Sequence, residues 1–144
     1  MAMEKTYYSK RIVLGNRIEE LVRMVMFLEE IGRDLDISEE AAFNIHLALE
    51  EAVTNVIMYA YPKDEEHDIE LSVCGKDNEL IFKIIDSGKE FDPTQQPDAD
   101  VTLPLEERQI GGLGIFLIRR VMEKVEYSRE DGKNILTLVK KLKK

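Results

Sequence analysis

Three short segments of this chain hold residue types that act on phosphates when they meet in space. Glu51-Ala52-Val53-Thr54-Asn55 sets a carboxylate and a carboxamide four residues apart, Asp86-Ser87-Gly88 closes an apolar run, and Gly111-Gly112-Leu113-Gly114 opens another. A carboxamide oxygen is a hard, neutral ligand for Mg²⁺ that does not over-compensate a charge already shared with phosphates. A neighbouring carboxylate can take a proton from an attacking hydroxyl or water. A carboxylate at a strand end can accept a hydrogen bond from an adenine amino group and so discriminates against guanine, which carries a carbonyl there. Glycines at a helix start leave backbone N–H groups facing phosphate oxygens, where the helix terminus adds positive potential. No lysine-bearing P-loop is present, so the three segments describe a different pocket for a nucleoside triphosphate and its magnesium ion.

Each segment alone has an ordinary alternative. Glu51 and Asn55 could decorate the surface of an amphipathic helix, Asp-Ser-Gly is a common turn after a strand, and glycines before a helix could form a tight turn. The order of the three and their local contexts carry the reading.

Those contexts come from hydrophobic periodicity. Residues 6–14 read as a strand closed by Gly15-Asn16, and Ile18, Leu21, Val22, Val25, Leu28 and Gly32 mark one face of a helix from Arg17 to about Asp34. Ser38 with Glu39 and Glu40 is an N-cap and acidic first turn for a second helix, which Pro62 ends. On that helix Ile45, Leu49, Ala52 and Val56 form the buried stripe, with Glu51 and Asn55 on its edge and Glu50 and Thr54 turned away. Glu51 therefore faces a groove beside the core while Glu50 is solvated.

Strands at 69–74 and 80–85 form a hairpin around Gly75-Lys76-Asp77-Asn78. The stretch 87–110 lacks a period and holds Pro93, Pro97 and Pro104, as a functional loop would. A third helix starts at the glycine cluster and runs through Met122, and two last strands flank Asp131-Gly132-Lys133-Asn134. The expected fold is α+β: a two-layer sandwich with a mixed, mostly antiparallel sheet and helices on one face, in a single domain spanning 1–144.

Composition narrows the function classes. With 144 residues, 44% of them apolar, the chain can fill one core. A formal charge of −9 argues against a nucleic-acid partner. Nothing approaches a run of apolar residues long enough for a membrane span, and the N-terminus has no signal-peptide pattern, so a soluble cytoplasmic protein is expected. The lone Cys74 sits in a strand and reads as a buried, inert thiol.

Glu-x-x-x-Asn on a helix, Asp-x-Gly after a strand, then a lid and Gly-x-Gly before a helix resemble the GHKL superfamily of ATP-binding domains, which includes gyrase, chaperones, mismatch-repair proteins and histidine kinases. Within it, Leu49-Glu50-Glu51-Ala52-Val53-Thr54-Asn55 and Phe91-Asp92-Pro93 are similar to the anti-sigma-factor serine/threonine protein kinases of the RsbW type. The resemblance covers about residues 12–142 and implies the Bergerat ATPase fold. It implies that Asn55 coordinates Mg²⁺, Glu51 is the general base, Asp86 binds adenine and Gly88 lines the base pocket. The cluster Gly111, Gly112, Leu113 and Gly114 then meets the phosphates of ATP, and Arg108 in the lid reaches the terminal phosphate. Two departures stand out: Gln109-Ile110 and an extra glycine follow Arg108, and the first box reads Asp-Ser-Gly-Lys-Glu without a second glycine.

Neither His46 nor His67 is a convincing phosphoacceptor, and the chain lacks the length of clamp-type relatives. The resemblance implies a kinase that transfers the ATP γ-phosphoryl group to a serine or threonine of an anti-sigma-factor antagonist and also binds a sigma factor. The alternative is a nucleotide-gated module that sequesters such a partner with little transfer. Retention of Glu51 favours the kinase. A homodimer is a further expectation of the resemblance, as is a lid from Lys89 to Ile110 that closes over the phosphates.

Overall fold

The computed structural model describes residues 6–95 and 112–142. In chain order these form β1 (Thr6–Gly15), a 3-10 turn (Ile18–Glu20), α1 (Leu21–Leu35), α2 (Glu39–Tyr59), β2 (Asp68–Lys76), β3 (Glu79–Asp86), a second 3-10 turn (Pro93–Gln95), α3 (Gly112–Val121), β4 (Lys124–Glu130) and β5 (Lys133–Lys141). The strands make one five-stranded sheet in the order β1-β2-β3-β5-β4. Every pairing among them is antiparallel.

Alternation along the strands gives the sheet its two faces. Ile69, Leu71 and Val73 of β2, Leu80, Phe82 and Ile84 of β3, and Leu136 and Leu138 of β5 point into one core. Met24, Phe27, Leu28 and Ile31 of α1, Ile45, Ala48, Leu49, Ala52 and Val53 of α2, and Ile115 and Ile118 of α3 fill the same core from the helical layer. Each large aliphatic or phenyl side chain buried in this way contributes about 1.5–3 kcal/mol. The other sheet face is half-exposed. Cys74, expected to be buried, lies there beside Ile81, because the strand's alternation gives the core position to Val73 instead.

The phase of α1 also differs from expectation. Ile18 and Val22 are 50% and 65% exposed, and the buried stripe is instead Met24, Phe27, Leu28 and Ile31. Apolar residues lie around most of this helix, so two stripes share the same period, and the bulkier one took the core.

Local signals end the elements as anticipated. The Ser38 hydroxyl oxygen accepts the Ala41 N–H at 3.1 Å and caps α2. Asp131 and Gly132 both have positive φ, 53° and 77°, the geometry that a two-residue hairpin turn needs. At the far end of α3, the buried Lys140 of β5 donates from Nζ to the Val121 carbonyl at 2.8 Å. A cation there satisfies an orphan carbonyl and complements the negative end of the helix dipole.

Candidate nucleotide site

α2 supplies one wall of the site. Glu50 is exposed, while Glu51 and Asn55 are half-buried one turn apart, as the helical spacing requires. Desolvation, and next the negative charge of Glu50, hold the Glu51 carboxyl above its ordinary range. A carboxylate so placed is a better proton acceptor than a solvated one.

α3 packs against this wall. A Cβ added to Gly114 would lie 2.8 Å from Glu51 Oε1 and 3.6 Å from Asn55 Nδ2. Glycine therefore lets the first turn of α3 come this close to the Glu51 carboxylate, while Asn55 lies at ordinary contact distance. Gly112 and Leu113 belong to the same turn. Arg108 and Gly111 lie outside the described residues, as does most of the expected lid, whose described part runs to Gln95.

β3 brings the third component. Asp86 ends the strand and is 5% exposed, its Oδ1 accepting the Gly88 N–H at 2.8 Å. Gly88 is pressed onto the end of α2: an added Cβ would fall 2.4 Å from the Ala60 carbonyl oxygen. The Lys89 N–H donates to that same oxygen at 3.1 Å. The Tyr61 hydroxyl accepts the Ser87 N–H at 2.6 Å, and its ring stacks on His67 with centroids 4.0 Å apart.

Asn55 and Asp86 line one mostly apolar cavity with Val56 of α2, Ala60 just after that helix, Ile118 of α3 and Leu136 of β5. Phe91 and Pro93, from the segment after β3, also line it. Its volume is about 40 Å³, close to one water's share of liquid, about 30 Å³. A purine ring is larger than this cavity, so its lining, Phe91 and Pro93 included, has to rearrange to admit one. A wider groove of about 730 Å³ lies at the opposite end of α2, near Ser38 and Asp77, and holds none of Glu51, Asn55, Asp86, Gly88 or Gly114.

The structure adds residues that sequence reading passed over. Asn134, read as part of a turn, opens β5 opposite Asp86 and is 6% exposed. It donates from Nδ2 to Asp86 Oδ1 at 2.9 Å, while Tyr127 and Arg129 of β4 donate to its Oδ1. Nothing in local periodicity announces the β3–β5 pairing that makes this contact.

Asn55 suits a magnesium ion held largely by its ligand. Among the described residues no group of three or more His, Cys, Asp or Glu could hold a metal ion by itself. Mg²⁺ commonly takes one or two protein oxygens and completes its shell with phosphates and water. No helix among the described residues is long and apolar enough to cross a membrane.

Comparison with known proteins identifies the family and the fold. Residues 14–140 match the family described as the histidine kinase-like ATPase domain. The chain is 32% identical to the serine/threonine-protein kinase BtrW of Bordetella bronchiseptica over 78% of its length and 79% of that protein's. It is 29% identical to the serine-protein kinase RsbW of Listeria monocytogenes, over 76% of this chain and 72% of the relative. Among solved structures, the RsbU and RsbW domains of a Mycobacterium tuberculosis protein superpose with a TM-score of 0.69 at 16% identity, covering 94% of this chain and 32% of that one. At that identity the superposition establishes a shared fold. By sequence match, this chain belongs to the histidine kinase-like ATPase family, alongside the serine-kinase relatives RsbW and BtrW.

Proposed function

We propose that this chain is an ATP-dependent serine/threonine protein kinase that acts as an anti-sigma factor, with an anti-sigma-factor antagonist as its protein substrate. The observation that carries the reading is the meeting of Glu51, Asn55 and Gly114, with Asn55 lining the same cavity as Asp86. The cavity accepts the adenine, with Asp86 taking a hydrogen bond from its amino group. The triphosphate then extends toward the first turn of α3, whose free N–H groups and dipole favour phosphate charge.

Asn55 would hold Mg²⁺ together with phosphate oxygens, and the ion would offset their charge. Glu51 takes the proton from the attacking serine or threonine hydroxyl. The hydroxyl oxygen forms a bond to the γ-phosphorus as the bond to the β–γ bridging oxygen breaks, and ADP leaves with that electron pair. Arg108 contributes positive charge at the terminal phosphate. The names of the relatives carry the serine-kinase activity; the sigma factor and antagonist as partners, and the cytoplasmic setting, rest on the sequence resemblance.

The test is transfer from γ-labelled ATP to an antagonist-type protein. Label should appear on the partner and vanish with Glu51→Ala while nucleotide binding persists. Binding and partner capture without label would move the assignment to a nucleotide-gated binding module, and transfer that survives Glu51→Ala would remove Glu51 from its role.

A further inference from the structure

The amide of Asn134 is committed at both ends. Nδ2 donates to Asp86 Oδ1 at 2.9 Å and to the Lys89 carbonyl at 2.8 Å. Oδ1 accepts from the Tyr127 hydroxyl at 2.5 Å, from Arg129 Nη1 at 3.1 Å and, at a long 3.4 Å, from the Phe91 N–H. A guanidinium only donates and a backbone carbonyl only accepts, so these partners settle which end of the amide is nitrogen. The nitrogen must face Asp86. With the Gly88 N–H, it fills Asp86 Oδ1, and a ligand's donor is left to Oδ2.

The same side chain also holds the start of the segment after β3 that lines the cavity. Lys89 and Phe91 are tied to it directly, and Arg129 Nη1 reaches the Gly88 carbonyl at 2.9 Å. The longest of these bonds is the one to Phe91, which lines the cavity. We infer that Asn134 is a positioning residue for base selection: it fixes the Asp86 carboxylate to demand a donor from the ligand, and it fastens that carboxylate to the Phe91–Pro93 wall. This rests on the ATP reading above and deepens it.

The experiment is calorimetry of the full chain with Mg-ATP and Mg-GTP. The unaltered protein should prefer ATP. Asn134→Ala should weaken ATP binding about tenfold or more, the scale of a lost hydrogen bond to a charged group, and GTP binding little, so that selection collapses. Asn134→Asp supplies a readout that a merely structural role would not move. When protonated, the introduced carboxyl donates to Asp86 as the amide did; when ionised, it repels it.

The ratio of variant to unaltered ATP affinity should therefore rise as pH falls from about 8 to 5. The charged and titratable groups around this position are Asp86 on β3, Tyr127 and Arg129 on β4, Tyr61 after α2, and Lys89, Glu90 and Asp92 on the wall; all are common to variant and parent. Tyr127→Phe, which keeps the amide and removes one of its partners, should show a smaller loss of selection in the same direction. Circular dichroism confirms folding, and if Asn134→Ala does not fold, the two milder variants decide. Undiminished selection for ATP in the variants, or a flat pH ratio, overturns the inference alone. An unaltered protein that does not prefer ATP overturns the ATP reading and this inference with it.

Discussion

Gly88→Ala is the substitution whose effect the structure sizes most directly. The new methyl carbon would sit 2.4 Å from the Ala60 carbonyl oxygen, 2.7 Å from the Ala60 Cβ and 2.9 Å from its carbonyl carbon. Ordinary non-bonded contact begins at about 3.5 Å, so the two segments must part by about 1 Å. None of the three atoms belongs to a long side chain that could swing aside. Parting also stretches the Lys89 N–H bond to Ala60, now 3.1 Å. Overpacking of this kind costs about 1–3 kcal/mol and a lost hydrogen bond about 1 kcal/mol, giving about 3 kcal/mol in total. For a chain of this size that lowers Tm by about 10 °C.

The displaced segment leads from Asp86 to Phe91, so Mg-ATP affinity should fall as well. Thermal melting by circular dichroism and calorimetry on the same preparation would measure both. Gly132→Ala is the control, since Gly132 has φ 77° with nothing within 4 Å of its added Cβ. Its cost is backbone strain of about 1 kcal/mol, with nucleotide affinity untouched. A Gly88→Ala protein that melts with the unaltered chain and binds nucleotide equally well would refute the packing argument.

Further substitutions separate stability from chemistry. Glu51 has its carboxyl raised by burial and by Glu50, so the folded chain holds this proton more tightly than the unfolded one. That contribution is complete below the unfolded pKa and is lost as pH rises through the folded value. Denaturant titrations should show Glu51→Gln gaining stability relative to the unaltered protein as pH rises above the ordinary carboxylate range, while phosphoryl transfer disappears; parallel pH profiles would contradict this. Asn55→Ala should abolish detectable Mg-ATP binding in calorimetry with Tm little changed, and unaltered affinity would remove Asn55 from the metal site. Gly114→Ala meets only the movable end of Glu51, 2.8 Å away, so Tm should hold while steady-state kcat falls by up to about a hundredfold from a misplaced base. Ser38→Ala removes the α2 cap, costing about 1 kcal/mol and about 3 °C in Tm, with no effect on nucleotide affinity at the other end of the helix.

The parts of the site that could be read in advance are those set by one element at a time. Glu51 and Asn55 share a helix edge because four residues make about one turn, and Gly88 and Gly114 stand at element ends where close approach is needed. What stayed hidden depends on which strands become neighbours. Asn134 meets Asp86 only because β3 pairs with β5, and that order follows from the whole sheet rather than from any local pattern. The phase of α1 and the half-exposure of Cys74 were misjudged for a related reason: periodicity identifies a stripe, but competition for the core decides which stripe is buried.

Lys140 gives α3 unequal ends. Its ammonium fastens the Val121 carbonyl to β5, whereas the opposite end begins with Gly112 and Gly114 and rests against Glu51 and Asn55. A rod pivoted at its tail moves most at its tip. Any shift of this helix during turnover should thus register as a swing of the glycine tip beside Glu51 and Asn55, with the anchored tail nearly still. Backbone amide exchange that quickens toward the tip and stays slow at the tail would be its signature.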